Sequence, residues 1–432
     1  MDAHRISWIH KGVERISVER VLQGLVGIAA LIAFAWLISE NRSRVRWRHI
    51  AVALAVQTSL ALLLIKVPFA QEVFRGLNHA VSSIELATRA GTSFVFGYIG
   101  GGPLPFTESF PGASFVLGVQ ALPLVLIVSA LSSLLFYWRI LPVVVRAFSW
   151  FLQKTMHIGG AVGLGAAANV FLGMVEAPLF IRPYLAIMTR SELFITMTCG
   201  MAGIAGTVMI LYASILSPVI LDPLGHILAA SIISIPAAIM LSQVMIPETG
   251  NLTGGGIVPP RPSSSMMDAI ASGTTDGIRL LINIIAMLIV LVALVHLANQ
   301  IVGLLPEAGG QPLSLQRILG WIMAPVVWLI GIPWSEAQAA GALMGTKTVL
   351  NEFLAYMDMA KLPDGALSQR SKIIMTYALC GFANFGSLGI MIGGLGVMAP
   401  ERRGEIVSLG MKSLVAGTMA TLMTGALVGI LY

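Results

Sequence analysis

The chain has 432 residues, of which 56% are hydrophobic and 11% are charged, and its formal net charge is +6. This composition excludes an ordinary soluble domain and indicates a polytopic membrane protein. The basic residues cluster in short loops beside apolar segments, as in cytoplasmic loops, so the charge needs no nucleic-acid partner to explain it. Cys199 and Cys380 lie in apolar segments without metal-binding spacing, which favours core packing over a disulfide or zinc site.

Apolar segments long enough to cross the roughly 30 Å of bilayer hydrocarbon predict eight transmembrane helices. The first is followed at once by Arg42, Arg44, Arg46 and Arg48 without a small-residue cleavage site, so it is predicted to be a retained span rather than a signal peptide. An even number of spans puts both termini on the same side of the membrane. The dense cluster of Arg after the first span indicates a cytoplasmic loop, so both termini are predicted to lie outside. The predicted spans are residues 22–39, 50–69, 116–138, 191–217, 226–246, 278–304, 372–398 and 406–431.

Five further segments are apolar but unsuited to simple crossings. Residues 71–95, 141–157 and 315–330 combine charged and apolar side chains at helical spacing and are predicted to be interfacial helices. Residues 160–185 and 331–356 are rich in Gly, Ala and Pro, and each carries a central acid. These two segments are predicted to be re-entrant helical hairpins, which need protein or a water-filled cavity to satisfy their exposed backbone groups.

The order of the elements repeats in the two halves of the chain, which a Gly-, Pro- and Ser-rich stretch at 248–268 divides. A span, an interfacial helix, a hairpin and two spans occur over 116–246 and again over 278–431. Odd element counts place the copies in opposite orientations, which is the inverted-repeat plan of secondary transporters. The binding site is then expected at the interface between the repeats.

Two carboxylates, Glu176 and Glu352, interrupt long apolar stretches. Both lie near Asn and near Gly or Pro helix breakers. A charge at membrane depth is costly unless it faces a polar cavity, so each acid is a candidate functional residue. Two acids in similar broken segments predict one site built from two halves.

Long motifs in both halves are recognisable as a set. They are Ala168–Tyr184, Gly331–Glu336, Lys347–Phe353, Cys380–Ser387 and Ala399–Gly404. In this order they resemble the motifs of concentrative nucleoside transporters, and the resemblance covers nearly the whole chain. It implies an all-α, elevator-type transporter of the inner (plasma) membrane, in which a mobile transport domain moves against a fixed scaffold within a homotrimer, driven by a co-transported cation.

The expected domain division follows this plan. The scaffold is predicted to contain the N-terminal tail, the first two spans and the first interfacial helix (1–115), and in each repeat the first span with its interfacial helix. The hairpins and the spans that follow them form the transport domain. The remaining scaffold segments are 116–158 and 277–330, the transport segments are 159–247 and 331–432, and the linker is 248–276.

The resemblance implies that Glu352, Asn384 and Ser387 bind the sugar, with Phe382 packing beside them. A buried carboxylate that accepts from vicinal ribose hydroxyls forms charge-assisted hydrogen bonds, which are stronger than neutral ones. Structural alternatives remain open at this point. Asn384 and Ser387 could satisfy backbone groups freed at a helix break, and Glu352 could form an ion pair with Lys347.

The resemblance assigns Met174, Val175, Glu176, Val208 and Leu280 to the nucleobase side of the pocket. Members that handle pyrimidines often have Gln at the position of Met174 and a hydroxyl residue at that of Val175. Without the amide, groups that could read a pyrimidine edge are missing, and the flexible Met adapts to a larger ring. Purine nucleosides (adenosine, inosine, guanosine) are therefore the predicted substrates, with gap-filling as the alternative role for Met174.

The coupling ion is predicted to be sodium, with a proton as the alternative. The family's sodium site implies Asn169, the carbonyls of Leu172 and Ile204, and a Ser or Thr hydroxyl where this chain has Gly203. A water or another carbonyl is expected to fill the place of the missing hydroxyl. Glu176 could instead carry a proton, because burial disfavours the charged form of a carboxylate.

A membrane-embedded enzyme is the alternative from a different class, since Glu176 and Glu352 could form an acid–base pair. Against it, the sequence has no HExxH, no Gly-Lys-Ser/Thr phosphate loop and no matched Ser/His/Asp set, and its seven His are scattered. A channel is the third possibility, but no segment resembles a selectivity filter. The sequence therefore favours a transporter.

Overall fold

The computed structural model describes residues 18–108, 113–254, 263–307, 310 and 312–432. Regular structure in these residues is helical, and no β-strand occurs among them. In chain order the α-helices are α1 (Val18–Leu37), α2 (Trp47–Lys66), α3 (Pro68–Phe96), α4 (Leu117–Gln120), α5 (Leu124–Tyr137), α6 (Ile140–Met156), α7 (Gly160–Ala168), α8 (Glu176–Leu179), α9 (Arg182–Leu185), α10 (Arg190–Ala202), α11 (Gly206–Leu216), α12 (Pro223–Met245), α13 (Met266–Val302), α14 (Leu315–Leu329), α15 (Trp334–Val349), α16 (Glu352–Ala360), α17 (Gln369–Leu379), α18 (Phe385–Met398) and α19 (Arg403–Leu431).

Within the described residues, seven helical segments are long and apolar enough to cross a membrane, and an eighth is counted if the bent pair α14–α15 forms one span. Two of the predicted spans are broken in the middle. The segment 191–217 is interrupted at Gly203–Ala205, between α10 and α11, and the segment 372–398 at Cys380–Asn384, between α17 and α18. Since non-helical backbone at membrane depth must be buried in protein or line a cavity, the breaks point to a functional site.

The three segments predicted as interfacial are helical and become α3, α6 and α14. The first predicted hairpin consists of α7, a turn, and the short helices α8 and α9. The second consists of α15 and α16, which meet at Leu350–Asn351. The order span, helix, hairpin, broken span, span occurs in both halves, as predicted from the sequence.

The linker is shorter than predicted at its carboxyl end. Residues 266–276 belong to α13, which runs for 37 residues rather than beginning near residue 278. The helix starts there because the Ser265 side chain accepts a hydrogen bond from the backbone N–H of Asp268, which is a standard N-cap.

Small residues bring α5 and α13 close together. A Cβ on Gly273 would lie 2.7 Å from the carbonyl oxygen of Ser129, and one on Gly277 would lie 3.0 Å from the Cα of Leu126. Gly273 and Gly277 are one turn apart, the spacing that lets two membrane helices pack with their backbones in near contact. These two helices, one from each repeat, form a tightly packed pair beside the site.

The first two spans pack on helices that belong to the repeats. α1 lies against α19, and α2 lies against α12. The Gln57 amide of α2 donates to the Thr424 hydroxyl of α19 at 3.3 Å, and a Cβ on Gly27 of α1 would overlap the Leu329 carbonyl. α12 and α19 are buried on nearly all sides and form the centre of the molecule. Which elements move together stays a prediction, and these contacts favour placing α1 and α2 with α12 and α19 rather than in a scaffold of residues 1–115.

Candidate functional site

A cavity of about 380 Å³ lies where the two hairpin turns meet the two broken helices and α13. Its walls come from parts of the chain that are far apart in sequence, and both repeats contribute to it. The residues predicted to bind substrate all line this one cavity: Met174, Val175, Glu176, Val208, Leu280, Glu352, Phe382, Asn384 and Ser387.

Glu352 is buried in the wall of the cavity and is held by two neutral donors. The Tyr212 hydroxyl donates to Oε1 at 2.6 Å, and Nδ2 of Asn384 donates to Oε2 at 3.0 Å. Glu352 is also the first residue of α16, where the helix dipole favours a negative charge. Each carboxylate oxygen keeps acceptor capacity for a further donor, so a diol in the cavity could be bound by both oxygens.

Asn384 both caps a helix and holds the carboxylate. It is the N-cap of α18, and its Oδ1 accepts from the backbone N–H of Ser387 at 2.7 Å, while its Nδ2 donates to Glu352. Asn384 therefore does satisfy a backbone group at the helix break, as the structural alternative requires. This does not exclude the predicted binding role, because the amide oxygen caps the helix while the amide nitrogen holds Glu352.

Lys347 is fully buried but does not pair with Glu352. Its Nζ donates to the carbonyl of Ala378 at 2.8 Å and to the hydroxyl of Thr421 at 3.0 Å. Among the ion pairs of the described residues, none joins Lys347 to Glu352, so the expected alternative of a structural ion pair is wrong. The ammonium instead donates to a backbone carbonyl at the end of α17, next to the helix break.

The residues predicted for the nucleobase side of the cavity are mostly apolar. Met174 and Val208 are buried, and Val175 and Leu280 are partly exposed to the cavity. Met174 lies against Gly200, where a Cβ would approach the Cβ of Met174 to 3.0 Å. Met174 thus fills space against α10 and also forms part of the cavity wall.

Glu176 is more exposed than the sequence suggested. Its side chain borders the main cavity and also a second one of about 340 Å³, which Ser129, Ser272 and Asp276 line with it. A Cβ on Gly173 would overlap the Glu176 carboxylate, so this glycine leaves room for the acid. The proton alternative assumes a buried Glu176, whereas this side chain is open to two cavities.

The residues predicted to hold the cation lie at the first hairpin turn and at the first helix break. Asn169 ends α7 and is buried, and its Nδ2 has no hydrogen-bond partner in the structure. A Cβ on Gly203 would lie 3.5 Å from the backbone oxygen of Asn169, so the two residues meet. Ile204 follows in the same break, and Leu172 follows Asn169 in the turn, beside the second cavity.

The two helix breaks are joined directly. The backbone N–H of Phe382, in the second break, donates to the carbonyl of Gly203, in the first, at 3.1 Å. Gly381 permits this approach, because a Cβ there would lie 2.9 Å from the carbonyl of Met201. The residues predicted to hold the cation and those predicted to bind the sugar therefore lie around two directly joined helix breaks.

Sequence reasoning missed Tyr212 and Asn283, which also line the main cavity. Tyr212 follows Val208 by four residues on α11, and residues at this spacing share a helix face. The spacing from Val208 is the sequence signal for Tyr212, and it becomes informative once Val208 is known to line the cavity. Asn283 follows Leu280 by three residues on α13, so these two residues also share a helix face.

Three family models match consecutive parts of the chain: "Na+ dependent nucleoside transporter N-terminus" over residues 26–99, "Nucleoside recognition" over 118–219, and "Na+ dependent nucleoside transporter C-terminus" over 226–429. Relatives of similar length agree with these matches. The nucleoside permease NupC of Helicobacter pylori is 34% identical, with 95% of this chain and 97% of that protein covered. The chain belongs to the concentrative nucleoside transporter family.

Other relatives and solved structures extend this result. An uncharacterised transporter of Haemophilus influenzae is 38% identical, with 95% and 97% of the two chains covered. The inward-facing, substrate-bound structure of CNTnw has a TM-score of 0.87 at 37% identity, covering 95% of this chain and 98% of that one. An outward-facing variant of CNTnw has a TM-score of 0.88 at 36% identity.

Family membership decides between the classes left open by the sequence. The chain is a multi-pass membrane transporter of nucleosides with an all-α, elevator-type fold. It is not an enzyme, so Glu176 and Glu352 are not an acid–base pair for hydrolysis.

Proposed function

We propose that this protein is a sodium-coupled symporter that takes up purine nucleosides, with adenosine, inosine and guanosine as preferred substrates. One observation carries the proposal. Nine residues predicted from the sequence, from both repeats, line a single cavity whose wall combines a held carboxylate with apolar side chains. A nucleoside has two matching parts, which are the vicinal hydroxyls of the ribose and the flat face of the base.

We propose that the ribose binds beside Glu352. Tyr212 and Asn384 fix the carboxylate and leave acceptor positions directed to the cavity it lines, so ribose hydroxyls can donate to it. Hydrogen bonds to a charged acceptor are stronger than neutral ones. Ser387 and Phe382 also line the cavity and supply a further hydroxyl and a ring beside the sugar.

We propose that the base contacts the apolar part of the cavity wall. Met174, Val175 and Val208 present thioether and aliphatic groups there, and none of the three can donate a hydrogen bond through its side chain to a pyrimidine edge. A purine offers a larger apolar face to such a wall. Glu176 lies at the margin of this surface and can accept from an exocyclic amine.

Sodium is the proposed coupling ion. Two of the matched family models carry Na+ dependence in their descriptions, and Asn169 meets the break at Gly203 as a site of unwound backbone requires. A proton carried by Glu176 remains the second candidate, because this acid borders both cavities.

Uptake into proteoliposomes tests the proposal. An inward sodium gradient is expected to drive accumulation of labelled adenosine, whereas a pH gradient without sodium is not. Excess inosine or guanosine should compete with the label far better than excess cytidine. Accumulation driven by the pH gradient alone rejects sodium, and strong inhibition by cytidine at low concentration rejects the purine preference.

We further propose that the protein works as a homotrimer in the inner (plasma) membrane. Ile289, Leu297 and Ile301 on α13 are more than half exposed in the single chain, as expected of a face covered by lipid or by another copy. Light scattering of the detergent-purified protein is expected to give three copies per particle. A monomer across the whole concentration range contradicts the trimer.

A further inference from the structure

Gly203 stands where the family's sodium site would carry a hydroxyl, and the space beside it is rich in oxygen. A Cβ built on Gly203 would lie 3.5 Å from the backbone oxygen of Asn169, 3.5 Å from that of Cys199, and 3.8 Å from Oγ of Ser231. Three oxygen atoms from three different helices thus surround one point. A hard monovalent cation takes such oxygen ligands, and unwound backbone in transporters commonly provides them.

Ser231 lies 28 positions after Gly203 in the sequence, on α12, and its side chain is fully buried. Its Oγ accepts a long hydrogen bond, 3.5 Å, from the backbone N–H of Ile204. A buried hydroxyl normally has closer partners, since leaving it poorly satisfied is costly. By contrast, Ser234 on the same helix lies 3.0 Å from the hydroxyl of Thr424.

Asn169 is a second buried polar residue next to Gly203, which its backbone oxygen approaches. The residue is 2% exposed, and its Nδ2 has no hydrogen-bond partner among the described residues. Exchanging the two ends of the amide would put Oδ1 at that position, where a cation could be bound. Asn169 and Ser231 are therefore two buried polar residues beside Gly203, one with an amide nitrogen that has no partner among the described residues and one with a long hydrogen bond.

We propose that Ser231 supplies the hydroxyl ligand for sodium that Gly203 lacks, so that the cation is held by Ser231 together with Asn169 and the carbonyl oxygens around the break. This inference rests on the proposed sodium coupling. It moves one ligand of the site from the broken helix to α12. Sodium then joins the first hairpin, the first broken helix and α12.

Gly203 also offers the means to test the assignment. Its backbone is extended, with φ −106° and ψ 175°, a conformation that any residue can adopt. A Cβ there would meet its nearest neighbours at 3.5 Å, which is ordinary van der Waals contact. Gly203→Ser is therefore expected to fold and to return a hydroxyl to the position it occupies in other members of the family.

The experiment compares four purified proteins: wild type, Ser231→Ala, Ser231→Ala with Gly203→Ser, and Ser242→Ala. Ser242 is the matched control, because it is a fully buried serine on the same helix whose hydroxyl has no partner in the structure. Sodium binding is measured as the rise of the unfolding temperature with NaCl, against equal choline chloride, and sodium-dependent uptake is measured in parallel.

Ser231→Ala is expected to need about tenfold more sodium for half its effect, in both measurements, since one hydrogen bond or ligand to a charged group contributes about that factor. Its unfolding temperature in choline should stay near that of wild type. The double variant should recover the sodium affinity, and Ser242→Ala should keep it.

The outcomes separate the two proposals. If wild type itself does not respond to sodium, sodium coupling fails and the role of Ser231 fails with it. If wild type responds and Ser231→Ala responds equally, only the role of Ser231 is overturned. An equal loss in Ser242→Ala, or no recovery in the double variant, also overturns it, because the effect then comes from α12 packing.

Discussion

At the scale of single residues, Glu352 is bound on one side and available on the other. Tyr212 and Asn384 each donate to one of its oxygens, and its remaining acceptor positions belong to the cavity that it lines. The two neutral donors thus hold the carboxyl group in one orientation and leave it acceptor capacity for a ligand. Rigid, pre-oriented groups lose little entropy on binding, which favours affinity.

Replacing Glu352 with Gln is expected to raise the Kd for adenosine about tenfold or more, because hydrogen bonds to a charged acceptor contribute about 1.5–3 kcal/mol against about 0.5–1.5 for neutral ones. Calorimetry on the purified protein measures the Kd directly. The matched control is Glu336→Gln in the same hairpin, whose carboxylate accepts from Ser368 outside the cavity. Equal Kd values for wild type and Glu352→Gln would remove this acid from the site.

Replacing Tyr212 with Phe is expected to raise the KM for nucleosides several-fold, because Glu352 loses the donor that fixes Oε1. The ring stays packed between Phe353 and Tyr356, whose ring centres lie 6.1 and 5.3 Å away, so folding should be retained. Tyr356→Phe is the control, since its hydroxyl donates to the Thr376 carbonyl instead. Similar KM changes in both variants would show a general packing effect rather than a role at the carboxylate.

The sequence predicted residues that stand in recognisable motifs and missed residues whose partners are distant in the sequence. Glu352, Asn384 and Met174, which line the cavity, were predicted because each stands in a motif. Tyr212 was not found, because an aromatic residue in an apolar helix looks like core until a partner is known. Ser231 could not be found for the same reason, since it approaches Gly203 only through the packing of α12 on the break.

At the scale of elements, the pair α5–α13 depends on glycine. Gly273→Ala is expected to lower the unfolding temperature, because the new Cβ would lie 2.7 Å from the Ser129 carbonyl and force the helices apart. Gly393→Ala in α18 is the matched control, since nothing lies within 4 Å of a Cβ there. At that position alanine should be neutral or stabilising by up to about 1 kcal/mol. Equal effects of the two substitutions would contradict the close contact.

The sequence predicted most elements but not where helices break. The segments 191–217 and 372–398 are apolar along their length, so each was predicted to be one span. Gly203 and Gly381 stand in the breaks, yet glycine is common in membrane helices and does not by itself mark an interruption. The breaks form because the Phe382–Gly203 hydrogen bond and the Asn384 cap compensate for the lost helical bonds. These contacts join the two repeats and are invisible in either segment alone.

At the scale of the whole molecule, charged residues tie the α1–α2 connection to the repeats. Glu40 pairs with Arg190 of α10 at 2.8 Å and with Lys412 of α19 at 2.6 Å, and Arg190 also approaches Glu405. The backbone N–H of Glu40 donates to the carbonyl of Met245, at the end of α12. The connection is thus fixed to three helices, which agrees with the packing of α1 and α2 on α12 and α19.

These pairs predict a pH-dependent contribution to stability. Hydrogen bonding from Arg190 above all, and also from Lys412, lowers the pKa of Glu40 from 4.5 to about 2, against partial burial, which raises it. A lowered pKa in the folded state stabilises the protein fully above 4.5, and this stability is lost as the pH falls towards 2. Since the side chains are partly exposed, we expect about 1 kcal/mol or less.

The comparison of wild type with Glu40→Gln measures this contribution. Unfolding temperatures in detergent are expected to differ at about pH 6 and to converge only at about pH 2, where the wild-type carboxylate becomes protonated in the folded state. High salt at about pH 6 should reduce the difference, because it screens exposed pairs. A difference that is the same at both pH values would mean that the charge of Glu40 contributes nothing.

The hydrogen bond between Phe382 and Gly203 also has a thermodynamic consequence. It links two stretches of irregular backbone, one at the proposed cation site and one at the proposed sugar site. Whichever ligand binds first restrains both stretches, so the second ligand loses less conformational entropy when it binds. By linkage the gain is reciprocal, and sodium must tighten nucleoside binding by the same factor as the nucleoside tightens sodium binding. Cooperative loading of the carrier can therefore arise from shared rigidity, without any displacement of a domain.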